Sequence, residues 1–415
     1  MKVALVHDQL AEFGGAERVL ISLKKIYPEA DVYVSFVDKN QLGMHWKKFE
    51  NWKIIQSRAR FIPFFSKLYS PLRFLLPWIW RSFNLSSYDL VICSSSWGMA
   101  KGVSLQKLNK TSYKLQATSE KVLAARSSQL KPRYVCYLHT PPRYLYGYDE
   151  SGLKKYLIVR IYARIVNHFL RMYDYESSQT IDNFIFNSEE IRQRSLKFYQ
   201  RDGVVIHPPI SLAPSSKLQD IDALLHVARS STPKAGIAQL EATHFLTVSR
   251  LAPTKHIDVI IKACNELKKN LVVVGVGNQD SYLRSIAGPT ISFKGHVTDE
   301  EFELLYAGAH AFLYASVDED FGMVPVEAMA HSVPVIAYAS GGVKETVTHL
   351  ERGIQYSELT PRALIEAIKH FDGLSTEDRS KMISNGYSFA QMCDEKTFMT
   401  KTTSYIGSIL NKITH

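Results

Sequence analysis

The sequence predicts an α/β protein: two Rossmann-like α/β domains facing each other across a cleft, with a closing helix that crosses back to the first domain. Three observations predict it. Short apolar runs of strand length alternate with helical stretches almost throughout, the rhythm of parallel βαβ units. That rhythm lapses once, over a Pro- and Ser-rich stretch from Pro208 to about Ala242, and then restarts. A chain of 415 residues, at roughly 100–200 residues per domain, holds two or three domains.

In order along the chain, Lys2–Val6 reads as a buried strand, followed by Gly14-Gly15 and a helical stretch from Ala16 to Ile26. Asp31–Phe36, Asp89–Cys93, Tyr134–Leu138, Asn183–Phe186 and Val204–Ile206 continue the strand series. After the lapse, which includes a short helical pattern from Gln219 to Arg229, Phe245–Val248 is a strand and Ile257–Lys268 a helix. Leu271–Val274 and Ile291–Phe293 are strands. Thr298-Asp-Glu-Glu301 is a capping signal that opens a helix over Asp299–Ala309. Ala311–Tyr314 and Val333–Ile336 are strands, and the tail from Ser388 to His415 reads as helical. The domain boundaries are therefore placed at 1–208, a linker over 209–242, a second domain over 243–387 and a closing helix over 388–415.

Composition narrows the function classes. With 46% hydrophobic and 22% charged residues, the chain has the balance of a folded globular protein rather than a disordered or fibrous one. No apolar run approaches the ~18–20 residues of a membrane span, and the N-terminus turns acidic and glycine-rich too early for a secretory signal. Cys93, Cys136, Cys264 and Cys393 are scattered without a CxxC pair, so a reducing cytoplasm is expected rather than a disulfide framework or a zinc site. The net charge of +10 favours a polyanionic partner: a nucleotide, a nucleic acid or an anionic membrane.

Four stretches carry candidate chemistry. In Ala315–Ala330, Glu319 and Glu327 stand with seven residues between them, on a loop and the helix after it. Gly322 allows a close backbone turn, and Pro325 suits a first helical turn. The amides of Met323 and Val324 would then favour an anion such as a diphosphate. Glu327 can accept hydrogen bonds from a pair of sugar hydroxyls. The same spacing also fits an ordinary helix start whose acidic residues complement the dipole.

Ser249–Lys255 places Arg250 and Lys255 on one post-strand loop, a planar fork and a point charge for phosphate oxygens; a pair of solvated cations fits as well. Gly14 and Gly15 permit close approach to a ligand, or simply a tight turn. His139 closes a buried strand, a position for touching substrate or for a structural histidine.

Taken together and in order, these pieces resemble the GT4 family of retaining glycosyltransferases, which have the GT-B fold. The nearest resemblance is to bacterial mannosyltransferases that build O-antigen and related surface glycans. The likeness runs from His7-Asp8 and Gly14-Gly-Ala-Glu-Arg18 through His139-Thr-Pro-Pro-Arg-Tyr144, Phe186-Asn-Ser188 and His207-Pro-Pro209. It continues through Ser249-Arg-Leu251 with Lys255, Glu319 with Glu327, and Gly341-Gly342 with Glu345.

The resemblance implies a hexosyltransferase in which Arg250 and Lys255 bind the donor diphosphate. Glu327 binds the ribose, Glu319 contacts the donor sugar and His139 touches that sugar near C6. Backbone near Gly295 and Val297 reads the base, and Gly14 and Gly15 line a phosphate region. It implies a nucleotide-sugar donor, most readily GDP-mannose, a lipid-linked glycan acceptor and same-face attack. The sequence departs from the family at Ser249, His256 and Asp320, where glycine is frequent, and over 104–131, which is longer and more polar.

Asp318-Glu-Asp320 imitates a metal-binding DxD but overlaps the glutamate motif, so neither a metal nor another cofactor is expected. Between Asn51 and Tyr88 there is no acidic residue. Lys53, Arg58, Arg60, Lys67, Arg73 and Arg81 alternate there with Phe61, Phe64, Phe65, Tyr69, Phe74, Trp78, Trp80 and Phe83. Basic plus aromatic suits an anionic membrane surface, single-stranded nucleic acid, or core helices with a basic face. A second such stretch, Lys154–Arg171, favours the membrane, hence a peripheral protein on the inner face of the plasma membrane.

Rival readings are a UDP-sugar transferase of the same fold, a nucleotide-sugar 2-epimerase and a nucleic-acid-binding protein. The last has no use for Glu319 and Glu327 and shows no RNP, KH or helix-turn-helix pattern, so no nucleic-acid partner is expected. A dehydrogenase is weaker still, because Gly275-Val-Gly277 lacks the third glycine of a dinucleotide fingerprint.

Overall fold

The computed structural model describes residues 1–105, 132–148, 157–210 and 243–411. Nearly all of the expected 209–242 linker, with its helix Gln219–Arg229, lies outside the described residues. So do most of the 104–131 stretch and the start of Lys154–Arg171. The chain divides into two compact units, Met1–Pro209 with Lys396–His415, and Ile210–Glu395.

The first unit is a seven-stranded sheet of β1 (Val3–His7), β2 (Asp31–Val34), β3 (Ile54–Gln56), β4 (Leu90–Ser95), β5 (Arg133–Leu138), β6 (Asn183–Phe186) and β7 (Gly203–Val205). Its order is β3-β2-β1-β4-β5-β6-β7, with every pair parallel. Successive residues of β1 face opposite layers. Val3 and Leu5 pack with Val19, Leu20 and Leu23 of α1 (Gly15–Ile26), while Ala4 and Val6 pack with Met99 and with Trp80 of α2 (Leu76–Arg81). Helices α3 (Leu157–Gln179) and α4 (Glu189–Tyr199) complete the layers, and Ser188 caps α4 by accepting from the Ile191 amide at 3.2 Å.

The second unit repeats the topology. β8 (His244–Val248), β9 (Leu271–Val274), β10 (Ile291–Gly295), β11 (Ala309–Tyr314), β12 (Val335–Tyr338) and β13 (Ile354–Tyr356) lie parallel in the order β10-β9-β8-β11-β12-β13. Its helices are α5 (Ile257–Leu267), α6 (Asp299–Ala307), α7 (Met323–Ala330), α8 (Pro361–Gly373) and α9 (Thr376–Gln391). Buried Ile257, Ile260, Ile261 and Cys264 make the core stripe of α5. The capping box of α6 forms as the sequence predicts: the Glu301 amide donates to Thr298 Oγ1 at 3.2 Å and the Thr298 amide to Glu301 Oε2 at 2.8 Å.

In both sheets the strand order reverses beside the first strand, between β1 and β4 and between β8 and β11. Open α/β sheets bind ligands at the carboxyl ends of the strands flanking such a reversal.

Three details differ from expectation. β3 and β13 are three-residue strands, too short to stand out as apolar runs. The strand expected over Val333–Ile336 pairs two residues later, because Pro334 has no amide to give the ladder. The tail is two helices, α9 and α10 (Glu395–Asn411). Between them the Cys393 carbonyl accepts from the Ile210 amide at 2.9 Å rather than continuing a helix. Phe398, Ile406 and Ile409 of α10 join the core of the first unit, where Phe398 meets Tyr137 with ring centroids 5.8 Å apart. No described helix is long and apolar enough to cross a membrane.

Candidate functional site

The loops after β8 and β11, at the reversal point of the second sheet, meet through named bonds. The Val317 amide donates to the Thr254 carbonyl at 3.2 Å. Lys255 Nζ donates to Ser316 Oγ at 3.2 Å and pairs with the Glu319 carboxylate, which also accepts from Ser316. The Lys255 and Glu319 side chains are 21% and 18% exposed, so a ligand can compete for both. Arg250 is exposed on the same post-β8 loop.

That loop runs unusually close to its neighbour after β9. A Cβ on Gly275 would stand 1.9 Å from the Ser249 carbonyl oxygen, and one on Gly277 would stand 2.2 Å from that of Leu251. These glycines set the approach of two loops and are not a dinucleotide fingerprint. Gly295, with φ of 65°, accepts from the Gly275 amide at 2.9 Å, and Val297 packs against the core nearby.

The glutamate loop is braced from below. The Gly342 amide donates to the Glu319 carbonyl at 2.7 Å, and the Asp318 amide donates to Ser340 Oγ at 2.9 Å. Gly322 holds φ of 83° and turns the chain into α7. The Met323 and Val324 amides occupy its first turn, where no intrahelical acceptor exists, and Pro325 is compatible with the same turn. Glu327 sits one turn in and is buried at 7% exposure.

Of the departures from the family, His256 occupies the left-handed region at φ 47°, where a glycine would be unstrained. In the glutamate loop the left-handed residue is Asp318, at φ 55°, and not Asp320.

The first unit gathers a second cluster at its own reversal point. His139 follows β5 and is 8% exposed. Its Nε2 lies 2.8 Å from Ser94 Oγ, which lies 3.0 Å from His7 Nδ1. His7 Nε2 lies 3.3 Å from Glu17 Oε1, and Glu17 Oε2 accepts from the Gly14 amide at 2.8 Å. Burial, reinforced by His7, pulls the His139 pKa down to about 3. Asn187 donates to the His139 carbonyl at 2.9 Å and holds the strand end. Asp8 accepts from the amides of Ser96, Gly98 and Ala100, which makes it a loop brace.

The structure therefore joins Lys255 with Glu319 in one unit, and Gly14 with His139 in the other. Sequence reasoning missed Ser316, Ser94 and the bonding role of Glu17. A serine just past a strand end gives no signal by itself, whereas Glu17 was visible as the third residue of a helix begun by Gly15.

The basic and aromatic segment splits evenly. Phe65, Tyr69, Trp80 and Phe83 are buried core, while Phe61, Phe64, Phe74 and Trp78 are exposed. On α3, Ile158, Ile161, Ile165, Phe169 and Met172 recur at helical spacing, exposed beside Arg160, Arg164 and Arg171. Tyr162 ties α3 to the segment by donating to the Pro71 carbonyl.

Residues 230–389 match the family model of glycosyl transferases, group 1. That match covers less than half of the chain, and over it the chain is similar to group 1 glycosyltransferases. It is 26% identical over 190 residues to an uncharacterized glycosyltransferase of Haemophilus influenzae, covering 41% of this chain and 53% of that one. It is 30% identical over 153 residues to a GDP-mannose-dependent alpha-mannosyltransferase of Mycobacterium tuberculosis, covering 36% and 40%. The chain thus spans about half or less of these curated relatives. A crystal structure of Anabaena HepE in complex with UDP aligns over 98% of this chain and 100% of that one, with TM-score 0.65 and 19% identity. The two parallel-sheet units are those of the GT-B glycosyltransferase fold.

Proposed function

We propose that this chain is a retaining mannosyltransferase that uses GDP-mannose and a lipid-linked glycan acceptor in surface-polysaccharide synthesis. The observation that carries the reading is the Lys255–Ser316–Glu319 cluster at the β8/β11 reversal point, one loop away from the first turn of α7 and the buried Glu327. The alpha-mannosyltransferase relative supports the donor.

On donor binding, Lys255 exchanges the Glu319 carboxylate for the diphosphate, joined by Arg250 and the Met323 and Val324 amides. Glu319 is then released to accept from sugar hydroxyls, and Glu327 accepts from the ribose. The bond between C1 and the phosphate oxygen breaks as cations neutralise the departing diphosphate. The acceptor oxygen bonds C1 on the same face, and its proton passes to the departing phosphate oxygen, giving GDP. No metal enters these steps. His139, neutral, touches the transferred sugar. The exposed apolar and basic face of Phe61, Phe64, Phe74, Trp78 and α3 rests on anionic lipid at the cytoplasmic side of the membrane, near the lipid-linked acceptor.

The test is NMR of the product's anomeric centre with a panel of donors. An α-mannoside from GDP-mannose is expected. Glu319→Ala should lose turnover more than nucleotide affinity, and Glu327→Ala should weaken nucleotide binding as well. A β-linked product would overturn retention, and turnover only with UDP-sugars would overturn mannose.

A further inference from the structure

With Glu17 ionised and His7 neutral, the buried chain of bonds from Gly14 to His139 has one consistent set of proton positions; with His7 as an imidazolium the Ser94 and His139 protons run the other way. The Gly14 amide is an obligatory donor, so it gives its hydrogen to Glu17 Oε2. The remaining Glu17 oxygen, as a carboxylate, can only accept, so His7 Nε2 carries a proton. A neutral His7 then accepts at Nδ1, and the hydroxyl that reaches it is Ser94. Having donated to His7, Ser94 Oγ offers a lone pair to His139 Nε2 at 2.8 Å. His139 Nε2 is thereby the protonated nitrogen, and Nδ1 is left with its lone pair. Among the described residues Nδ1 has no partner, while the residue as a whole keeps 8% exposure.

We propose that Glu17, His7 and Ser94 are positioning residues that lock His139 in the Nε2–H tautomer. Its Nδ1 is then held as a neutral acceptor for a substrate hydroxyl, and the same Glu17 carboxylate fixes the Gly14 loop. Which nitrogen of a histidine carries the proton is set by what the other nitrogen bonds to, and here the choice is passed through three side chains. A ring fixed this way accepts from a sugar O–H and does not protonate it. Burial of the ring, which holds its pKa near 3, acts in the same direction. The use of Nδ1 by a sugar rests on the glycosyl-transfer reading above; the tautomer lock does not.

The decisive variant is Glu17→Gln. Glutamine has one acceptor oxygen, which the Gly14 amide must keep. Its NH2 group then faces His7 Nε2 and forces that nitrogen to accept. His7 Nδ1 becomes the donor to Ser94, Ser94 donates to His139 Nε2, and His139 inverts to the Nδ1–H tautomer. The 415-residue chain carries 14 histidines, so uniform 15N-histidine labelling with long-range 1H–15N correlation is practicable, with His139 assigned by its disappearance in His139→Asn. Spectra are recorded at pH 8, where an imidazole of ordinary pKa, ~6.5, is neutral.

The expected result is Nε2–H at His139 in the wild type and Nδ1–H in Glu17→Gln. With Ser94→Ala added, which cuts the relay with a small change in volume, Glu17→Gln should leave the His139 tautomer where Ser94→Ala alone puts it. Nδ1–H in the wild type, or no inversion in a folded Glu17→Gln, overturns the proposal. In transfer assays Glu17→Gln should lower kcat about tenfold or more, as for a lost transition-state hydrogen bond, with nucleotide affinity unchanged. Inversion without a change in kcat would keep the lock and overturn the role given to His139 at the sugar.

Discussion

Replacing Gly341 with alanine separates the brace under the glutamate loop from general packing. Gly341 holds φ of 56°, where an L-residue costs ~1–2 kcal/mol. Its new Cβ would stand 2.2 Å from the Glu319 carbonyl oxygen and 2.9 Å from the Glu319 amide nitrogen, both backbone atoms that cannot swing aside. Relieving such overlap in packed surroundings costs ~1–3 kcal/mol. The 2.7 Å bond from the Gly342 amide to the same carbonyl is worth ~1 kcal/mol more if it breaks.

The total, ~3–6 kcal/mol, corresponds to a fall in Tm on the order of 10 °C for a unit of this size. Because the atom displaced belongs to Glu319, turnover should fall about tenfold or more beyond any loss of folded protein. Gly407 is the control. It lies inside α10 with nothing within 4 Å of a Cβ, so Gly407→Ala should stabilise by ~0.5–1 kcal/mol. Thermal melts and initial rates on both variants decide the matter. A Gly341→Ala protein that melts within about 2 °C of wild type, or is fully active at its reduced Tm, would refute the reasoning.

Arg250→Ala and Lys255→Ala should each lower kcat/KM by ~2–4 kcal/mol equivalent, as for loss of a charge partner of the leaving group; near-wild-type rates in both would remove the clamp. Activity should survive dialysis against EDTA, and recovery on adding magnesium or manganese would show a metal requirement. Trp78→Glu with Ile161→Glu should abolish salt-sensitive co-sedimentation with anionic vesicles while leaving Tm within a few degrees, since both residues are exposed; equal binding to neutral vesicles would contradict the electrostatic part. For His139 the unfolded chain takes up a proton near ~6.5 and the folded protein only near 3. Stability should therefore rise with pH between those values and be flat above them. His139→Asn should flatten that slope in urea titrations run from pH 4 to 8.

Much of this was legible because parallel strands buried on both faces announce themselves as apolar runs. β1, β6 and β9 are such runs, and their order along the chain already implied doubly wound sheets. That Lys255 and Glu319 share one site was within reach of the sequence, because each lies on a loop just past an apolar strand run. The rest depended on distance. Lys101 and Asp174, both fully buried, form an ion pair across 73 positions, with Tyr146 and Tyr199 donating to the same carboxylate. Nothing near either residue in the sequence calls for a partner. Ser94 and His139 likewise meet only because β4 and β5 are neighbours. The aromatic segment left its buried and exposed rings unsorted for a different reason. Its elements are only three to six residues long, so no periodicity tells the inward rings from the outward ones.

The return of α10 to the first unit has a consequence during synthesis. Leu5, Ile92, Val135, Tyr137 and Ile185 occupy one layer of the first sheet, and they are translated long before Phe398, Ile406 and Ile409, which pack into that layer. At roughly 5–20 residues per second, the interval between Ile206 and Phe398 is about 10–40 seconds. Throughout it the nascent first unit has α1 on that apolar layer but still lacks the cover that α10 supplies, while the second is being made. The order in which the two units mature is therefore opposite to the order in which they leave the ribosome. Stalling or truncation before Phe398 should convert a finished-looking first unit into a substrate for chaperones and proteases.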